Sequence, residues 1–514
     1  MHPTLRAALL ASIALSFPVA GHATDVTPDQ AAKLQGQLRD WFQGMAGPGL
    51  PVSASPVQVT AEGDHFRLTM PPAGFKMPVQ GIPPVMADAK PLDGGRWALD
   101  NIHIQTPATF TVDTPVPAGS DTPKPPARPG AATPPRTAPG GKATESIPTT
   151  YTLTYAKQDG SGTWDPSFAT PSVINSNSTG FQLVSENRVA KQVTKIERTN
   201  STTTLKPAAD GRVDAMLDAD ADGYSMTTSS ASGAGGGAPA IQSSAGHAKV
   251  GFNLLGVSRD QVARIVPALV KFAPAPGAVP GADGKKRANP EGVRLLVEAL
   301  QGFASSGALT EDLSDFKVSG PGFSFASSQL RFNMDVKAAG GMMAGAMEIG
   351  LDGMSLPGMG LDAFANLLPK HVALRPVVSQ VPTKELLQLF ETAMLGQDGG
   401  PPPEQVAALF SHGGLKGGLE SFTVDMGGAS FTGTANVDIP NPNTASGTAK
   451  VTATNLDALM TEVQANPALA QAVPAIALMK GMGHADGNKV VWDLAFSNGK
   501  LLVNGVDMSK MGGR

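Results

Sequence analysis

Val490, Trp492, Leu494 and Phe496 alternate with other residues near the end of the chain. A period of two puts all four side chains on one face of a strand, which then needs one dry side and tolerates one wet side. The surrounding stretch, Gly447–Met508, reads as strand, helix, helix and hairpin. Gly447–Val451 opens it as a strand. Asn455 is the expected N-cap of a helix whose Leu456, Leu459, Met460 and Val463 share one side. Asn466-Pro467 opens a second helix, because Asn caps and Pro at the first helical position gives up no hydrogen bond. Pro474 is expected to kink or break that helix. Asn498-Gly499 supplies a two-residue turn, and Leu501 and Val503 begin the returning strand.

Gly246–Phe325 has the same order of parts. Gly246–Val250 matches Gly447–Val451, and at one offset Leu255 matches Leu456 and Val262 matches Val463. Ser258 and Gln261 form a capping box, Asn289-Pro290 opens a second helix, and Gly320-Pro321-Gly322 turns a hairpin. The shared order predicts an internal repeat and two related halves, residues 24–325 and 326–514.

Helices disfavour Gly and Pro, and the chain holds 59 and 44 of them in 514 residues, with only 16% charged residues. The predicted class is α+β: extended antiparallel sheets with packed helix pairs, two related halves and long disordered loop insertions. The insertions are expected at about 114–148, 229–245 and 273–288, where Pro, Gly, Ala and Ser leave too little apolar surface to order a segment. A formal net charge of −4 gives no basic footprint for nucleic acid. With no Cys there is no disulfide, thiol chemistry or lipid-anchor cysteine.

Arg6, the apolar run Ala7–Phe17 and Gly21-His22-Ala23 read as a signal peptide over residues 1–23, cleaved after Ala23. No later stretch approaches the ~18 consecutive apolar residues of a membrane helix, so the mature chain is expected to carry no transmembrane span. These features predict an exported, periplasmic protein of a Gram-negative bacterium. Thr27-Pro28-Asp29-Gln30 starts a helix with Leu34, Leu38, Trp41, Phe42 and Met45 on its apolar face. Further helices are expected at Leu361–Leu368, Thr383–Leu395 and Glu404–Ser411, and a hairpin through Gly427-Gly428.

Asp218-Ala-Asp220-Ala-Asp222-Gly223 has the acidic and Gly positions that open a calcium-binding EF-hand loop. Its twelfth position is Ser229, where a bidentate Glu is needed, and the same alternation fits a strand with Asp outward and Ala inward. Met342, Met343, Met347, Met354 and Met359 cluster as thioether copper ligands would, or as pliable core filler. His65, His103, His247, His371, His412 and His484 show no metal-ligand spacing. Ser314–Lys317 matches the Ser-x-x-Lys of penicillin-interacting enzymes without the companion motifs. Trp41, Trp97, Trp164 and Trp492 suit either a groove or a core. No cofactor is expected.

Asn455-Leu456-Asp457-Ala458-Leu459, the Asn466-Pro467 helix and Leu494–Val506 with its Asn498-Gly499-Lys500-Leu501 turn together resemble the C-terminus of a family of bacterial exported proteins whose domain has no assigned function. The style is similar to envelope proteins built from long antiparallel sheets. The resemblance covers about the last hundred residues and carries over no functional residue. The leading expectation is a non-catalytic envelope protein that offers a sheet surface or groove to an amphiphile, such as a lipid, or to an envelope protein. The alternatives are a periplasmic hydrolase using scattered carboxylates and a structural or assembly factor without a small ligand.

Overall fold

The computed structural model describes residues 26–38 except 33 and 37, 58–70, 79–80, 83–92, 96–117, 144–165, 170–230, 240–272, 289–358, 362–395, 401–497 and 499–508. The alternating segments form one antiparallel sheet of 23 strands among these residues. Its N-terminal part comprises β1 (Gln58–Glu62), β2 (His65–Met70), β3 (Val79–Gln80), β4 (Val85–Pro91), β5 (Trp97–Ile104), β6 (Ala108–Pro117), β7 (Thr144–Thr154) and β8 (Lys157–Asp165). A meander follows through β9 (Thr170–Glu186), β10 (Ala190–Pro207), β11 (Val213–Ser230), β12 (Ile241–Val257), β13 (Ser306–Gly320) and β14 (Phe323–Ala339). It continues through β15 (Met342–Asp352), β16 (His371–Pro382), β17 (Leu415–Met426), β18 (Ala429–Asn441) and β19 (Thr444–Thr454). The short β20 (His484–Asp486), then β21 (Lys489–Ser497), β22 (Lys500–Val503) and β23 (Val506–Asp507) complete it.

From β9 to β19 each strand pairs with the next in sequence, and β19 pairs with β21. At the other end β9 shares one edge between two neighbours. Thr170–Thr179 pairs with β8, which leads on to β5, β4, β2 and β1. Gln182–Glu186 pairs with β7, which leads to β6 and β3. Val85 of β4 and Val250 of β12 nevertheless line one cavity. They lie six ladder steps apart, about 29 Å on a flat sheet at ~4.8 Å per step. The sheet therefore curls, and β4, β5 and β8 form a flap over one face of β9–β12.

The expected α+β class is overturned. Among the described residues 62% are strand and 22% helical. The helices α1 (Arg259–Phe272), α2 (Pro290–Leu300), α3 (Thr383–Leu395), α4 (Pro403–Ala408), α5 (Leu456–Ala465) and α6 (Val473–Met482) do not form a layer of packed pairs on the sheet. The reason is connectivity. The strands flanking the first two pairs bond directly to one another, β12 to β13 and β16 to β17, so α1–α4 project in the connections beyond the strand ends, while α5 and α6 pack against one end of the sheet over Ala453, Val490 and Trp492. α1 and α2 pack chiefly on each other, burying Ala268, Val293, Val297 and Ala299. Gly292 lies so close that a Cβ there would sit 2.3 Å from the Lys271 carbonyl carbon of α1.

β14 runs across the expected division at 325/326, and the sheet continues through it. Leu255 lies in β12, whereas its expected counterpart Leu456 starts α5. β12 and β19 run in opposite directions along the ladder, so their helix pairs stand at opposite ends of the sheet. β6 and β7 carry their ladder as far as Pro117 and Thr144. The remainder of the three expected insertions (118–143, 231–239 and 273–288), residues 1–25, Trp41, Phe42, Met45 and Met359 lie outside the described residues.

Local signals fared well where they were short-range. Asn289 accepts from the Glu291 backbone N–H at 3.0 Å, with Pro290 opening α2. Asn466 accepts from the Ala468 N–H, although the turn it opens, Pro467–Ala472, is a 3-10 helix. Asn455 is not the expected cap: it is left-handed (φ 57°), makes no cap bond, and its Oδ1 accepts from Asn488 Nδ2 instead. The N-terminal core forms where Leu34 and Leu38 of the N-terminal helical segment pack with Phe66, Leu68, Trp97, Leu99 and Trp164.

Candidate functional site

Alternation in β11 buries Leu217, Ala219 and Ala221, then shifts phase and buries Tyr224 and Met226. The step falls at Gly223, whose φ is 64°. The ladder sets Gly180, Glu197, Gly223, Gly246, Asp315, Ser328 and Gly353 at one level from β9 to the end of β15. Of these Gly180, Asp315 and Gly353 are also left-handed, with φ of 62°, 52° and 61°. A left-handed residue flips the pleat, so the apolar side chains on both sides of this crease stay on one face. At Gly223 even a methyl group is excluded, because a Cβ would stand 2.4 Å from Glu197 Cγ.

That face is continuously apolar. One row across the ladder reads Ala221, Ala248, Leu313, Leu330, Leu351, Val372, Val424, Phe431, Ala453 and Val490. The next reads Ala219, Val250, Glu311, Phe332, Ile349, Leu374, Phe422, Gly433, Val451 and Trp492, with Glu311 its one ionisable side chain. The flap buries the β11–β12 end, where Ala248 is 4% exposed and Val250 9%. α5 covers the other end, over Ala453 and Val490. Between them the face is open: Phe252, Met334, Ile349 and Val378 remain 39–40% exposed. The result is a trough with an apolar floor, roofed at each end.

The opposite face is polar. Arg331 Nη2 donates to Asp352 Oδ2 at 2.8 Å, and His371 Nδ1 bonds the other oxygen of Asp352. Burial alone raises the Asp352 carboxyl pKa, but His371 and Arg331 outweigh it and hold the carboxyl below its usual range. Arg375 bonds Glu420 at 2.8 Å and Glu348 at 3.3 Å. Asp218, Asp220 and Asp222 belong to this face. Successive outward positions on a strand stand about 7 Å apart, so the three carboxylates point in parallel instead of converging. Asp220 accepts from Asn200 at 3.0 Å, and Asp222 bonds His247 and Arg198. The His247 bond, then the Arg198 bond, hold the Asp222 carboxyl below its usual range. Among the described residues no group of three or more His, Asp or Glu could hold a metal ion.

Beneath the flap lies a cavity of about 110 Å³. Its floor carries Ile174, Ser176, Ser178, Ile196, Thr199 and Ser201, and its roof Ile102, Ile104, Tyr155 and Gln158. Ser178 and Thr199 share a hydroxyl hydrogen bond of 2.6 Å. Gln158 Oε1 accepts from the Ile104 N–H at 2.9 Å, which fixes the amide with Nε2 as the remaining donor. That Nε2 is buried without a partner. Burial pushes the Tyr155 hydroxyl up to about 12. Its contribution to stability is intact below the ordinary value of 10.0 and is lost as the pH rises from there through about 12. An ultraviolet absorbance titration should accordingly find a tyrosine that ionises only at about 12, above Tyr224, which burial also raises, and Tyr155→Phe should remove it. If all tyrosines titrate together near 10 in the folded protein, the roof is not closed.

Sequence reasoning missed Gln158, Ser178 and Thr199, which carry no local motif and meet through the register of β8, β9 and β10, Gln158 opposite Ser178 and Ser178 opposite Thr199. Trp97 and Trp164 are core residues, while Trp492 donates to the Met479 carbonyl of α6 at 2.9 Å. Among the described residues, no helix is long and apolar enough to cross a membrane. No curated protein and no solved structure matches the chain. A family model does match, from the connection before α2 through β23. Residues 281–511 match the model of a family described as an uncharacterized protein conserved in bacteria (DUF2125).

Proposed function

We propose that this chain is a non-catalytic, exported protein of the bacterial cell envelope that binds an amphiphile along the apolar trough. The supporting observation is the open middle of that face. Its floor spans strand after strand with aliphatic and aromatic side chains while the polar side of the same strands is laced with ion pairs. Apolar surface left in water is unfavourable by about 25 cal/mol per Å², so a face like this gains from a cover. An acyl chain suits it better than a peptide. The sheet's backbone groups are already bonded in the ladder, and a peptide laid on its face would bury unpaired N–H and C=O groups at several kcal/mol each. The carboxylates with displaced pKa values are all displaced downward by cationic neighbours, the reverse of the raised carboxyl a hydrolase of the scattered-carboxylate kind needs.

The test is a fluorescence titration with the neutral apolar dye N-phenyl-1-naphthylamine. Saturable enhancement, reversed by monopalmitoylglycerol and not by glycerol, is the expected result. Enhancement that never saturates, or that the lipid leaves unchanged, refutes the reading. Export is checked separately: protein recovered from the periplasm of a Gram-negative host should begin at Thr24.

A further inference from the structure

We infer that the cavity beneath the flap seats the uncharged, carbonyl-bearing end of the amphiphile, with Gln158 Nε2 donating to the carbonyl oxygen. This rests on the amphiphile reading and adds a polarity and a ligand class to it. The cavity is built from β4, β5 and β8–β12, upstream of the residues that the family model matches.

The trough floor offers nothing to a polar head except Glu311, and the cavity differs from it in two ways. The first is the hydroxyl-bearing floor. Ser176, Ser178, Thr199 and Ser201 alternate along β9 and β10 where aliphatic residues occupy the same face farther along the sheet. Ser178 and Thr199 spend one proton on each other and retain a second to direct elsewhere. The second is the orphaned amide proton of Gln158. A buried donor without an acceptor is unfavourable, and a hydrocarbon tail would leave it unmet. A carbonyl oxygen satisfies it and accepts from a hydroxyl as well.

The lining also offers little to an anion. It contains neither Lys nor Arg, the His103 Nδ1 is taken by the Asn101 carbonyl at 2.7 Å, and the Asp220 carboxylate lies on the opposite face, held by Asn200. A fatty-acid carboxylate or a phosphate would enter without a counter-charge and lose its hydration. An ester or amide would not.

A matched pair of lipids tests this. Monopalmitoylglycerol and its ether analogue hexadecylglycerol share chain length and glycerol head and differ in the carbonyl. In competition against N-phenyl-1-naphthylamine the wild-type protein should bind the ester about fivefold to tenfold more tightly, the effect of one neutral hydrogen bond. Gln158→Leu removes the donor. Gln158→Met also removes it but keeps the length of the side chain, so it guards against a loss that comes from packing alone. Both should bring ester and ether to within about twofold of each other. Equal binding of the pair by the wild type, or a preference for the ester that survives both substitutions, overturns the assignment and leaves the trough intact. Failure of both lipids to displace the dye overturns the amphiphile reading itself.

Discussion

Ile349→Asp is expected to weaken binding of N-phenyl-1-naphthylamine and of monopalmitoylglycerol by more than about tenfold, at least ~1.4 kcal/mol. Ile349 lies in the open middle of the trough, 39% exposed, beside Phe332 and Leu374 in its row. A carboxylate there would have to shed its water for a lipid to settle over it. Because the side chain is already partly wet, the change in stability should stay within about 1 kcal/mol. Asn333→Asp is the control. Asn333 pairs with Glu348 on the polar face, one residue from Met334 on the apolar face, and the same added charge should move affinity by less than about twofold. Equal losses at both positions would mean that net charge, not the trough, governs binding.

Phe66→Ala is expected to lower stability by about 3–5 kcal/mol, the usual range for emptying a buried aromatic site. Phe66 is fully buried, and its ring meets Trp97 edge-on with centroids 5.7 Å apart. Leu34 and Leu38 pack in the same cluster, so the loss should release the N-terminal helical segment that carries them from the sheet. Urea unfolding followed by tryptophan emission reads the effect directly, since Trp97 and Trp164 sit in that core. A loss below about 1 kcal/mol would show that the helix does not close this end of the sheet.

Local chemistry was legible in the sequence and long-range geometry was not. α3 spans Thr383–Leu395, the range the apolar stripe marks, and Gly427-Gly428 turns β17 into β18 with both residues left-handed. Each of these needs only neighbours in the chain. The helix pairs carry real apolar stripes, yet a stripe does not say what it meets, and α1 and α2 meet each other. The Asp218–Gly223 pattern misleads for a different reason. Outward acids on a strand followed by a Gly at a pleat reversal repeat the opening of a calcium loop, and what separates the two is the presence of Arg198 and His247 on adjacent strands. The cavity was illegible altogether, because Gln158, Ser178 and Thr199 are aligned by strand pairings, and Val85 and Ile102 reach Ala248 and Val250 only when the sheet curls.

The crease at Gly180, Gly223, Asp315 and Gly353 makes the neighbouring strands depend on one another. Restoring plain alternation in one strand alone would turn its far apolar side chains toward water while the strands beside it kept theirs inside. Inserting or deleting one residue on either side of that line in a single strand does equal harm. Such a step has to be gained or lost by all the participating strands together, so outside the crease glycines the region should tolerate exchanged side chains far better than changes of length.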